Sequence, residues 1–384
     1  MVPVELNEVS RVVALATGAL RIEVDHAELP LDALCDFATR NNPRRSFLFV
    51  SKVLGRHLPV RPAVMRDVWR RLAAKLPADL PGPVVFIGLA ETAIALGQGV
   101  HASFVEQTGR GDVLFAHSTR YTLPQPLAFG FTEAHSHATA HRVYEPIEAA
   151  DRALLRAART LVLVDDEAST GATLADLSRA AALVCPHLGQ VFGMVLTDWR
   201  GAAAPSDAAH SSDSWDRLEF LSLLTGSYAF TRHPDAVSPQ MPQVTGNDAP
   251  RPGLMRRNFG RLGLRAAPRL SEAETAALPA VAPGECVLVL GSGEFTWMPF
   301  LLAEALAARG ADAWVQSTTR SPVQVGQAIA SAMTFTDNYD DGIPNFLYNV
   351  VPGQYDRVLI GYETAPGSES PVLAATLNAS PVYF

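Results

Sequence analysis

The sequence predicts an α/β chain in two units: a parallel sheet with helices on both faces, then a smaller α/β domain. Three observations predict it. Short runs rich in Val, Ile and Leu recur at Pro83–Gly88, Leu161–Val164, Gln190–Leu196 and Cys286–Leu290, the pattern of strands buried on both faces. Several of them pass through a turn of small or hydroxyl-bearing residues into a helical segment. The chain of 384 residues is also too long for one core and suits two domains. We place the first at 1–199, a connector at 200–281 and the second at 282–384.

Taken in order, Ala16–Val24 is expected as a strand. The turn Asn41-Asn42-Pro43-Arg44-Arg45 carries two cations, and Ser46 caps an expected short helix, Phe47–Leu54, that Gly55 ends. Lys52, Arg56 and His57 lie within or just after it. They read as a solvated basic face, or else some of Arg44, Arg45, Lys52 and His57 reach an anionic ligand. Pro62 opens the next helix, Ala63–Leu76. Strand Pro83–Gly88 runs through Leu89-Ala90-Glu91-Thr92 into a helix, Ala93–Leu96, expected to end near Gly97. Asp112–Ala116 is the next strand. His117–Tyr144 then holds four of the ten histidines, together with Arg120 and Glu133. Glu148–Ala158 is a helix, and a further helix runs from about Ala172 to Cys185. Strand Gln190–Leu196 ends at Thr197-Asp198-Trp199, where Trp199 either stacks on a base or is half-buried at a domain edge.

Arg200–Ser212 and Ala236–Pro252 read as loops, Trp215–Leu224 as a helix, and Arg256, Arg257 and Arg261 lie near glycines. In the second unit, strand Cys286–Leu290 leads through Gly291-Ser292-Gly293-Glu294-Phe295-Thr296 to a helix, Pro299–Arg309. This turn lacks the third glycine and the ribose-binding acid of a dinucleotide site. Strands Ala313–Gln316 and Arg357–Gly361 follow. Glu294, Arg320 and Asp340-Asp341 fall at strand ends and turns, where open α/β sheets take ligands. The second unit is expected to bind a ligand there, across the interdomain cleft, or to serve packing or dimerisation.

Net charge is −8 with no basic block, which argues against a nucleic-acid surface. Cys35, Cys185 and Cys286 are far apart and read as reduced thiols. Met1–Ser10 has no basic n-region and no apolar run reaches membrane-spanning length, so a cytoplasmic protein is expected.

The chemistry concentrates in Leu161-Val162-Leu163-Val164-Asp165-Asp166-Glu167-Ala168-Ser169-Thr170-Gly171-Ala172-Thr173. Ser169, Thr170 and Thr173 offer hydroxyls and Gly171 lets the backbone come close. The loop N–H groups and the positive end of the following helix suit a phosphate dianion. Asp165 and Asp166 repel phosphate but suit the 2′- and 3′-hydroxyls of a ribose, and act on positive charge at its ring or on a nearby Mg²⁺.

These residues resemble the phosphoribosyl-pyrophosphate (PRPP) loop of type I phosphoribosyltransferases: four apolar residues, two acids, two variable positions, then Ser/Thr-Thr-Gly-x-Thr. Leu89–Thr92 resembles the pyrophosphate loop of the same family, which often carries a strained peptide bond. Thr319-Arg320-Ser321-Pro322 resembles the signature of the TRSP domain, fused behind such transferases in proteins of tellurium-resistance and stress operons. The likeness also takes in the Asn-Pro-Arg-Arg segment, the Glu133–His137 run and the Gly-Ser-Gly-Glu-Phe turn.

The resemblance implies transfer of ribose 5-phosphate from PRPP to a nucleobase-like or other small acceptor, with Mg²⁺ and release of pyrophosphate. It assigns the 5′-phosphate to Ser169–Thr173, with Glu167 and Ala168 leading into that loop, and the ribose hydroxyls to Asp165 and Asp166. Leu89, Ala90, Glu91 and Thr92 would hold pyrophosphate and Mg²⁺ through backbone N–H groups, helped by Arg120 and Lys52. A lid over His117–Tyr144 would bring Glu133, His135 and His137 to proton transfer and exclude water. Glu133, His135, His137 and His141 also read as zinc ligands, although their spacings do not share one element. Glu294, Thr319, Arg320 and Ser321 are the second-domain candidates. A homodimer fits the family. The alternatives are a non-catalytic PRPP sensor and the reverse reaction, pyrophosphorolysis of a nucleotide; the lid argues against the first.

Overall fold

Backbone groups buried inside a protein need partners, and a run such as Leu161–Val164 finds them only in a central strand. The computed structural model, which describes residues 9–43, 45–132, 140–201, 218–235, 249–339, 341–366 and 371–384, places that run in the middle of a seven-stranded sheet. The sheet order is Val9–Leu15, Gly18–Ala27, Leu218–Arg232, Gln190–Asp198, Thr160–Ala168, Val84–Gly88, Val113–His117. The last five are mutually parallel, and Gly18–Ala27 joins them antiparallel. Val84–Ile87 and Leu161–Val164 are fully buried, each side chain contributing about 1.5–3 kcal/mol by leaving water.

Three local expectations change. Phe47–Ser51 is a strand in a hairpin with Cys35–Thr39, not a helix; Phe47, Phe49 and Val50 gain burial there that a short helix would not give. Leu218–Arg232, expected as connector and partly as helix, is a 15-residue strand of the main sheet. The helix after Thr92 runs over Ile94–Thr108 and ends at the left-handed Gly109. Gly97 is no stop: a Cβ there would lie 2.8 Å from the Cα of Gly88, so the glycine lets helix and strand touch.

The second domain is a four-stranded parallel sheet in the order Asp312–Ser317, Cys286–Gly291, Arg357–Tyr362, Ser380–Tyr383, with helix Trp297–Ala308 against it. The two domains share packing. Trp69, on helix Pro62–Ala73, lies against Trp297 and Phe300 at 5.6 and 4.5 Å between ring centres. Arg66 forks onto Glu304 at 2.6 and 2.8 Å. Val60 pairs with Val315, and Arg40 with Val323, across the boundary. No helix among the described residues is long and apolar enough to cross a membrane.

Three buried histidines couple this packing to pH. Burial lowers His101 to about 3. Burial, with Arg56 and Arg40 nearby, lowers His57 to about 3. Burial, with Arg261 opposing Glu294, lowers His117 to about 4. The ordinary histidine value is 6.5, so the unfolded chain takes up protons that the native one refuses. Above pH 6.5 these groups leave stability unchanged; below it stability falls as pH drops, each histidine steepening the fall by up to about 1.4 kcal/mol per pH unit. Melting temperatures measured from pH 7 to pH 4.5 should fall accordingly. His101→Leu should reduce the slope by one proton, and an unchanged slope would contradict the assignment.

Candidate functional site

The main sheet reverses its winding between Val84–Gly88 and Thr160–Ala168, which are adjacent in the sheet but separated in sequence. Ligands of open α/β sheets bind in the crevice outside the carboxyl ends of strands at such a point. A cleft of about 230 Å³ lies there. Its walls gather Leu89, Ala90, Glu91, Thr92 and Arg120 from one side and Asp165–Gly171 with Thr173 from the strand end beside it. Thr319, Arg320 and Ser321 close it from the second domain.

Local rules explain each wall. Strand Val84–Gly88 ends at Gly88, and the chain turns through Leu89–Thr92 before its helix begins. Ala90–Glu91 is a cis peptide bond. Ala90 N donates to Ser118 Oγ at 2.9 Å, and Ser118 Oγ also contacts His141 Nδ1 at 3.0 Å. Thr92 Oγ1 donates to Asp166 Oδ1 at 3.1 Å, tying this loop to the acid pair. Asp165 Oδ1 accepts from the Asp166 N–H at 2.9 Å. Beyond the acids, Gly171 has φ +77°, and a Cβ there would meet Phe220 at 2.9 Å. Helix Ala172–Ala182 takes no side-chain cap from Gly171, while the Ala172 N–H donates to Thr170 Oγ1 at 3.3 Å; the positive end of the helix dipole at this turn suits an incoming anion.

Glu167 faces a different partner. Its carboxylate pairs with Arg45, whose guanidinium lies 4.8 Å from Phe47 and 5.3 Å from Phe49. Burial raises the Glu167 carboxyl, and Arg45 only partly offsets that. Phe49 in turn stacks on Trp199 at 4.7 Å. Trp199 is therefore buried core, not a free stacking platform.

The second domain reaches the cleft through one ion pair and a hydrogen bond, both from Arg320. Arg320 Nε is 3.5 Å from Glu91, and its Nη2 donates to Tyr121 Oη at 2.8 Å. Thr319 is buried, and its Oγ1 accepts from the Ser321 N–H at 3.2 Å. Arg120 Nη2 donates to Ala90 O at 3.4 Å.

Some expected residues stand elsewhere. Lys52 follows the hairpin, its backbone N–H bonded to Leu34 O at 2.9 Å, and it does not line the cleft. Ala172 begins the helix and does not line it either. Glu294 is buried behind the wall: it accepts from Thr119 Oγ1 at 2.5 Å, from the Arg120 N–H at 2.7 Å and from Arg261 Nε at 3.2 Å. Burial alone would raise this carboxyl, but Arg261 and His117 hold it low. It joins the domains and offers nothing to a ligand. Arg261 bridges Glu294 and Glu363 and is buried.

The expected lid is a hairpin, Leu127–Thr132 with Ala140–Tyr144. Glu133, His135 and His137 lie outside the described residues, as do Arg44 and Asp340. His141 lines the cleft and stacks on Phe131 at 4.4 Å.

Arg56 holds more of the site together than its sequence setting suggests. It is buried and donates to Gly293 O at 3.0 Å, to Thr318 O at 2.5 Å and to Glu91 O. One side chain thus fixes three loops around the cleft. The available signal was an arginine following the apolar run Phe47–Leu54.

A family profile described as phosphoribosyl transferase matches residues 34–227, and one described as the TRSP domain C-terminal to it matches residues 258–377. The chain is similar to adenine phosphoribosyltransferase of Trypanosoma brucei in complex with AMP, pyrophosphate and ribose-5-phosphate, at 12% identity over 53% of this chain and 82% of that one, TM-score 0.37. It is similar to the Rhodothermus marinus adenine phosphoribosyltransferase at 16% identity over 50% and 94%, TM-score 0.34. The Giardia lamblia enzyme with 9-deazaadenine gives 17% identity over 43% and 80%, TM-score 0.29. Comparison with curated proteins finds no match. With half of its length matched by the first profile and the second following it, the chain belongs to the phosphoribosyl transferase family that carries a C-terminal TRSP domain, and is a pentosyltransferase.

Proposed function

We propose that the cleft transfers ribose 5-phosphate from PRPP to a small heterocyclic acceptor, releasing pyrophosphate. The observation that carries this is the meeting of an acid pair, a hydroxyl-rich loop that opens into a helix, and the Leu89–Thr92 loop at one switch point. Ser169, Thr170, Gly171 and Thr173 take the 5′-phosphate. Asp165 and Asp166 accept from the ribose hydroxyls and stabilise positive charge as the ring approaches an oxocarbenium state.

Leu89–Thr92 and Arg120 receive the leaving diphosphate, and Arg320 adds a second-domain cation beside them. Glu91 sits in this anion-binding loop, paired with Arg320 at 3.5 Å and with Arg56 at 3.9 Å. An arriving diphosphate competes with Glu91 for Arg320, while Arg56, committed to carbonyls, holds the loop in place.

The donor set fits Mg²⁺ carried by the substrate. Asp165 and Asp166 are hard oxygen donors, and no group of three or more His, Cys, Asp or Glu among the described residues is placed to hold a metal ion. Mg²⁺ commonly takes one or two carboxylates and completes its shell with phosphates and water. When bound, it would offset charge on the diphosphate. The three free cysteines support a reducing, cytoplasmic setting, and a stress-related nucleoside-like product is the setting the TRSP resemblance suggests.

Calorimetry with PRPP and Mg²⁺ on the folded chain should register saturable binding that Mg²⁺ removal weakens. Absence of any heat of binding would remove this reading.

A further inference from the structure

Sugar phosphate and diphosphate leave one part of the cleft wall unassigned. It is formed by Arg40, Arg45, Leu48, His57, Glu167 and Ser321. These residues come from the hairpin region, the end of strand Thr160–Ala168 and the second-domain segment after Asp312–Ser317. They belong together: Arg40 pairs with Val323, Asn41 N donates to Pro322 O at 3.1 Å, and Arg40 acts electrostatically on both His57 and Glu167.

This wall carries hydrogen-bonding capacity that the described residues do not use. Arg45 commits Nη1 to Glu167, but its Nε and Nη2 are buried without a partner. The same holds for His57 Nε2, Ser321 Oγ and Glu167 Oε2. His57 is 5% exposed. Buried polar atoms are nearly always satisfied, so a group of orphans on one cleft wall calls for a ligand.

We propose that this wall is the acceptor subsite, and that it takes a heterocycle whose edge presents two neighbouring hydrogen-bond acceptors. The proposal rests on the phosphoribosyl-transfer reading. Nε–H and Nη2–H of an arginine form a planar two-donor fork. That fork matches the oxygen and ring nitrogen of a 6-oxopurine, or the two oxygens of a ring carboxylate. An amino-bearing edge such as that of adenine puts a donor against a donor and leaves the fork unmet. Ser321 and His57 each act as donor or acceptor and serve the rest of the ring. In the transfer, a ring nitrogen forms its bond to ribose C1 as the C1–O bond breaks. The diphosphate departs with the electron pair; a ring N–H, where the acceptor carries one, gives its proton to water, whereas a pyridine nitrogen such as that of nicotinate loses no proton and becomes a pyridinium.

The test is pyrophosphate release by the full chain with PRPP and Mg²⁺. Hypoxanthine and guanine form one arm, orotate and nicotinate a second, adenine a third. One of the first two arms should exceed adenine at least tenfold, and which arm does so identifies the acceptor pair. Arg45→Met and Ser321→Ala should each raise the KM for that acceptor tenfold or more, with the Kd for PRPP within twofold. Preference for adenine, no turnover with any arm, or an unchanged KM in the folded Ser321→Ala variant overturns the proposal. PRPP binding with no acceptor turnover sinks this inference alone; failure to bind PRPP sinks the transfer reading with it.

Discussion

Asp165→Asn combined with Asp166→Asn will lower turnover by at least about 10³-fold while the chain stays folded. Groups aimed at developing transition-state charge are worth about 10²–10³ each in rate, and the proposed transfer has two adjacent acids serve the same ring. The fold survives because both side chains sit at the open end of a strand, half-buried, away from the apolar run Leu161–Val164. Asparagine also keeps an acceptor for Thr92 Oγ1. Pyrophosphate release measured beside circular dichroism separates the two effects. Turnover within tenfold of the parent, in folded protein, would mean the acids do not face the sugar.

Arg261→Met will destabilise the chain by about 3–5 kcal/mol, the usual penalty for leaving buried charge without its partner. Arg261 is 3% exposed and lies between Glu294 and Glu363, themselves 2% and 8% exposed. Glu294 retains Thr119 and the Arg120 N–H. Glu363 has less: burial already raises its carboxyl, Arg261 is what lowers it, and Oε2 has no partner among the described residues. Adding Glu363→Gln to Arg261→Met should therefore recover a substantial part of the loss. Denaturant titration of the parent, single and double variants measures this. A loss under about 1 kcal/mol would show that water reaches the pair.

The strands that build the site were legible because burial on both faces leaves a plain mark, four or five aliphatics with nothing polar between them. The acid pair and its loop were legible because their residue types have few other uses at a strand end. Other parts were not. Gly97 read as a stop when it marks a close approach, since a sequence does not say what packs against a glycine. Phe47–Ser51 alternates too little to separate strand from helix, and only its pairing with Cys35–Thr39 decides. Leu218–Arg232 owes its place to the preceding strand Gln190–Asp198 and to Gly18–Ala27, which is distant in sequence. Glu294 looked like a ligand-binding acid because its partners, Thr119, Arg120 and Arg261, lie 33 or more positions away. Arg56 and Arg261 show the general limit: an arginine that solvates a surface and one that ties three loops are spelled alike.

The pairing of Gly18–Ala27 with Leu218–Arg232, and of Val60 with Val315, has a consequence for biosynthesis. Loop closures this long are slow and cost entropy before any contact repays it. On the ribosome, Gly18–Ala27 waits with one edge bare until about 200 further residues have emerged, and Val60 waits longer. The nascent chain thus spends most of its synthesis with open sheet edges, an invitation to misassembly that chaperones exist to counter.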